Sequence, residues 1–234
     1  MRYHIYQGAS VYLPQIIVAF KKEVIMANIK QGLLGGVSGR VGNVIGFRRR
    51  GKDLLRVQAT HINDAKSPRQ LKQREKMSTV MDFLSPIMPF IRIGYRNYAQ
   101  GRAAYNMAVS YLVKRCMEEG TDGENYLNLQ RTMVSIGFLN GVTDAVLSRQ
   151  DNLLTVIWSD NGGTGNAESS DNVMLLVYNP VRKESTYLLA AATRGDEKAQ
   201  IKIPQNWQKD NPVVYLTFAA QAEDGEVSNS IFLK

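Results

Sequence analysis

Two histidines, His4 and His61, and one cysteine, Cys116, are the side chains best suited to nucleophilic or metal chemistry. A zinc centre built on His and Cys needs more ligands than these supply. A Cys–His pair is formally available, but Cys116 falls on the apolar stripe of an expected helix, where a thiol is a packed, inert group. Asp160, Glu168 and Asp171 place hard oxygen donors on one polar loop, as calcium requires. They lack the alternation of a calcium-binding loop and read as solvated. The same loop, "SDNGGTGNAESSDN", lacks the Gly-Lys-Ser/Thr ending of a phosphate loop and is expected to be polar and flexible. The expectation is therefore no catalytic residue, no cofactor, no metal and no enzymatic activity.

The remaining chemistry is positive charge. "GFRRRGKDLLRV" (46–57) holds Arg48, Arg49, Arg50, Lys52 and Arg56 on a pattern that alternates like a β-hairpin. Val41, Val44, Ile45 and Phe47 form one strand run, Leu54, Leu55 and Val57 a second, with Gly51 at the turn. Such a tip has two uses. Arginines on a β-ribbon can enter a DNA groove, and cations at a strand edge can dock a partner or deter aggregation. Further cations, Arg69, Lys72, Arg74 and Lys76, open the helix expected from Ser67, whose Ser-Pro-x-Gln start has capping-box spacing. Cations in a first helical turn oppose the helix dipole, which hints at a function for the charge. If six or more phosphates were neutralised, affinity would fall roughly a thousandfold or more between low and moderate salt.

That helix presents Met77, Val80, Met81, Leu84, Met88 and Ile91 at helical spacing, and Pro86 and Pro89 break or kink it. A second helix spans "GRAAYNMAVSYLVKRCMEEG" (101–120), with Gly120 as its stop. Between them "IRIGYRNYAQGR" interleaves arginine with tyrosine, a composition suited to stacking single-stranded bases or to a protein interface.

The chain has 234 residues, 44% hydrophobic, enough for two modest domains. Residues 1–131 contain 21 Lys/Arg and 9 Asp/Glu, whereas 132–234 contain 8 and 12, so a basic front precedes a mildly acidic back. No apolar run is long enough to span a bilayer. Residues 1–25 form a doubtful leader: Pro14 and Gln15 interrupt its apolar patch, and translation beginning at Met26 is the other reading. Secretion ranks behind a virion or cytoplasmic location.

From Thr132 short β-rich runs recur: "MVSIGFL", "AVLS", "LLTVIW", "NVMLLVYN", "STYLLAAA", "AQIKIP", "VVYLTFAAQ" and "VSNSIFLK". Their number and spacing predict an immunoglobulin-like sandwich, with "GTDGENY" as the linker before it. "LLTVIW" and "VMLLVYN" resemble the second and third strands of a fibronectin type III domain, with Trp158 as its core tryptophan. "VVYLTFAAQAEDGEVSNSIFL" is similar to that fold's closing hairpin, Glu223-Asp224-Gly225-Glu226 at the turn. From Met26 onward the chain also resembles an uncharacterised family of bacterial and phage-encoded proteins. The likeness rests on "GLLGGVSGRVGNVIG", on Arg56, and on a helix start like "AKSPRQLKQREKM". Where relatives show a Trp-Lys-Gly turn, this chain has Phe47-Arg48-Arg49-Arg50. The resemblance implies a non-enzymatic component of a virion or other mobile-element structure.

The expected architecture is thus a two-domain α+β chain: a basic hairpin-plus-helices domain over 26–125 and a fibronectin type III-like β-sandwich over 130–234. The expected partners are other structural proteins or a second copy, with nucleic acid as the alternative.

Overall fold

The computed structural model describes residues 28–29, 37–49, 51–59, 61, 64–222 and 225–234. Two compact units follow one another, residues 1–65 and 66–234. In the first, β1 (Asn28–Ile29), β2 (Val37–Val41), β3 (Val44–Arg49) and β4 (Lys52–Val57) form an antiparallel sheet in that order. The expected hairpin is its β3–β4 half. The run read as one strand from Val41 is split by a turn at Gly42, whose φ of 58° favours a residue without Cβ.

The second unit opens with three helices. Ser67 caps α1 (Pro68–Leu84), and both reciprocal bonds of its capping box with Gln70 are present. A 3-10 turn at Ser85–Ile87 carries Pro86, and α2 (Met88–Gly94) restarts the helix with Pro89 in its first turn. The third helix, α3 (Ala104–Arg115), ends before the expected Gly120. Met117–Glu119 (β5) instead pairs with Asn125–Leu127 (β6), so the predicted linker "GTDGENY" is a hairpin turn. Glu75 of α1 anchors it, accepting a 3.0 Å hydrogen bond from the Asn125 amide.

The remaining strands form two stacked antiparallel sheets. One contains β7 (Val146–Gln150), β8 (Leu153–Ile157) and β11 (Lys198–Lys202), in the order β11-β8-β7. The other contains β9 (Asn172–Asn179), β10 (Glu184–Thr193), β12 (Val213–Ala219) and β13 (Ile231–Leu233), in the order β10-β9-β12-β13. Between the sheets lie Leu154, Val156, Trp158, Val173, Leu175, Val177, Val214, Leu216 and Phe218. Trp158 is buried as expected, edge-on to Phe218 at 5.8 Å.

The helices cover the outer face of the four-stranded sheet. Val80, Phe83, Leu84, Phe90, Ile91 and Leu112 share one cluster with Met174, Leu176, Tyr178, Val213 and Tyr215. β9 and β12 are therefore buried on both faces, which is why their sequences run apolar without alternation. Helices and sandwich thus share a core, and the two compact units meet in sequence at Ala65–Lys66. "MVSIGFL" is also not a strand. It threads beside the end of α2, where Ile136 N–H donates to Gly94 O at 2.9 Å and a Cβ on Gly94 would collide with Val134 O. The class is α+β.

Candidate functional site

Charge and structure divide at the same place. Residues 1–65 hold 10 Lys/Arg against 3 Asp/Glu, whereas 66–234 hold 19 against 18. Nearly the whole excess of +8 thus belongs to the first unit. The sequence over 37–59 contains six cations, five of them among the described residues, and one acid, Asp53.

Strand register sorts those cations. Side chains alternate along a strand, and directly opposed residues share a face. Ile45 pairs with Arg40 and Arg56, Phe47 with Leu54, and Arg49 with Lys52, so all these lie on one face. Val44 pairs with Val41 and Val57, Gly46 with Gly39 and Leu55, and Arg48 with Asp53, forming the other. One face is therefore cationic around Phe47, with no acid among its described residues. The other is apolar and flat at the paired glycines. On it Arg48 meets Asp53 at 3.8 Å, an exposed ion pair of little energetic consequence.

Among the described residues both faces keep exposed side chains. Val41, Leu55 and Val57 are 56%, 66% and 69% exposed, and every β4 residue is exposed. On the cationic face the Arg56 guanidinium lies 5.8 Å from the Phe47 ring centre, and Arg40 Nε donates to Gly42 O at 2.9 Å. Arg49 and Lys52 stand directly opposite each other, a like-charge pairing that costs stability. Of the cations expected at the tip, Arg48 thus belongs to the opposite face from Arg49, Lys52 and Arg56. Arg50 lies outside the described residues, as do His4 and Glu223-Asp224.

The helix-start cations have local duties. Lys72 pairs with Glu119 at 2.6 Å, Lys76 adds to the field on that carboxylate, and Arg74 has a partner of its own. Together with the hydrogen bond and charge of Lys72, this holds the Glu119 pKa below its usual range. Arg69 is exposed beside Pro68.

The other candidates resolve into packing. Tyr95 is fully buried, donates to Met133 O at 2.7 Å, and meets Tyr98 and Tyr111 of α3 edge-on, so the tyrosines of this stretch pack on each other and on α3. Asp160, Glu168 and Asp171 do not converge on a cation site. Asp160 accepts from Ser169 and Gly162, Glu168 from Ser170, and Asp171 holds Arg194. No three His, Cys, Asp or Glu gather among the described residues. The loop read as flexible is hydrogen-bonded along its length.

Arg194 is the residue that sequence reasoning missed. It is 0% exposed, bonds Asp171 through Nε and Nη2 at 3.1 and 2.9 Å, and donates to Asn161 Oδ1 and Asn140 O. Its Cζ sits 4.0 Å from the Phe218 ring centre. This hub ties together the loops at one end of the sandwich. Above it lies an open depression of about 480 Å³, lined by Asn140, Val142, Thr143, Asp144, Ser159 and Asn161 among others.

Cys116 donates to Arg131 O at 3.1 Å, and burial pushes its thiol pKa up. A thiol-specific reagent is expected to modify it only on unfolding. Stoichiometric reaction of the native protein within minutes would refute that burial.

A single family model spans residues 36–234, from just before β2 to the last residue, and is described as a family of unknown function (DUF6266). The chain belongs to this family. Its DUF6266 region includes strands β2 to β4 of the two-faced sheet and the whole helix-backed sandwich. No curated protein and no solved structure matches the chain significantly. No helix among the described residues is long and apolar enough to cross a membrane.

Proposed function

We propose that this DUF6266 protein is a non-enzymatic structural or interaction component that docks through its basic first unit. Its setting is a virion, another mobile-element structure or a surface assembly. The observation carrying this reading is the apolar face on which Val41, Leu55 and Val57 stand exposed beside the half-buried Val44. A small sheet gains independent stability by covering an apolar face, and exposed apolar patches mark contact surfaces. The helix-backed second unit is a scaffold in this account. Its sheet orders, β11-β8-β7 against β10-β9-β12-β13, support a fibronectin type III-like sandwich, a module of the spacer and adhesion kind.

Light scattering coupled to size-exclusion chromatography tests the reading. The full chain is expected to self-associate or to co-purify with other assembly components. Leu55→Ser with Val57→Ser should abolish that association while leaving the tryptophan-monitored melt unchanged. A strictly monomeric protein without co-purifying partner, or association indifferent to the double substitution, would refute docking by this face.

A further inference from the structure

We propose that the opposite, cationic face of the same sheet binds the phosphate backbone of a nucleic acid. The inference rests on the docking reading only in using the same sheet. Its residues are others, so the two stand or fall by separate variants.

The register sets four cations at the corners of a patch. Arg40 and Arg56 flank Ile45 across three strands, about 10 Å apart at a strand spacing near 4.8 Å. Arg49 and Lys52 oppose each other at the tip, and Lys52 lies four residues from Arg56 along β4, about 14 Å at ~3.4 Å per residue. Phe47, flanked by the Arg56 guanidinium, fills the middle of the patch with a plane on which a base can stack.

Charge complementarity points to a polyanion, and two features favour nucleic acid over an acidic protein. Three of the four cations are arginine, whose planar fork matches phosphate oxygens. No carboxylate interrupts this face among the described residues, although one lies on the opposite face and 18 are spread over the second unit. The like-charge opposition of Arg49 and Lys52 is a local cost that a bound phosphate between them would remove. Of the strands that carry the patch, the β3–β4 hairpin holds three of the four cations, and β-strands are among the elements that enter DNA grooves.

Fluorescence anisotropy of the full chain with short labelled duplex and single-stranded DNA is the test, with polyglutamate as competitor. Neutralising four phosphates predicts an affinity loss of roughly 50- to 150-fold between about 50 and about 200 mM salt. Arg49→Ala with Lys52→Ala should lower the log–log salt slope by about 1.4–1.8 and weaken binding at low salt at least about tenfold. Arg40→Ala with Arg56→Ala should do the same from the other end of the patch, guarding against a folding defect in either variant. Arg49→Lys, which keeps the charge, should retain the slope, and Arg48→Ala, on the other face, should leave it unchanged. Salt-insensitive binding, no binding, or slopes untouched by both double variants would overturn the proposal. So would polyglutamate competing as well as DNA charge for charge, which would assign the face to an acidic protein. Loss of DNA binding with association intact separates this face from the apolar one.

Discussion

Replacing Arg194 by alanine is expected to lower the unfolding free energy by about 3–5 kcal/mol, the penalty for stripping one partner from a buried ion pair. Asp171, 2% exposed, would be left buried without its strongest donor. The loops at Asn140 and Asn161 would lose their shared anchor. Urea denaturation followed by tryptophan fluorescence measures this directly, because Trp158 Nε1 donates to Arg194 O at 2.8 Å. The double replacement Arg194→Met with Asp171→Leu should recover much of the loss, since removing both charges leaves neither unpaired. A single substitution costing under about 1 kcal/mol, as exposed pairs do, would show that the hub is solvated.

Truncating Phe83 to alanine is the second large effect, with an expected cost of about 3–5 kcal/mol. Phe83 is 2% exposed on α1 and meets Tyr178 of β9 edge-on, ring centres 4.7 Å apart. The chain's two tryptophans, Trp158 and Trp207, both belong to the core between the sheets, and neither lies on α1, α2 or α3. If helices and sheets unfold as one unit, Phe83→Ala must move the tryptophan transition although it sits in the helical layer. An unmoved tryptophan transition, with helix signal lost separately by circular dichroism, would restore two independent domains.

Both effects arise at places where the sequence is only partly legible. Local signals read well: the Ser67–Gln70 capping box, the prolines that end α1, the turn at Gly51, and the apolar runs that become strands β7 to β13. Each depends on neighbours within a few residues. The helix–sheet interface was encoded too, since "VMLLVY" and "VVYLTF" do not alternate as a half-exposed strand would. Reading them only as strands of an immunoglobulin-like sandwich leaves that second buried face out. "MVSIGFL" has strand composition but spends its hydrogen bonds on Gly94 O, Ser230 and Asn229, contacts that local pattern does not report.

The candidate site was legible in content and not in arrangement. Arginine enrichment at 48–56 is plain from composition. Which cations share a face depends on pairing register, and a shift of one residue would exchange Arg48 for Arg49. Arg194 carried no signal, because an arginine after a strand ordinarily reads as solvated. Its burial needs Asp171 and Phe218, 23 residues before it and on another strand.

The central claim is that contact is made by the sheet of residues 37–59 while residues 66–234 serve as scaffold. A photo-reactive amino acid placed in turn at Leu55, Arg49 and Thr143 of the full chain, irradiated in the native assembly, tests it most directly. Adducts to a partner or a second copy from position 55, and to nucleic acid from position 49, with none from position 143 in the sandwich-end loops, are the predicted result. Adducts from position 143 alone would place the contact surface above the Arg194 hub and contradict the account.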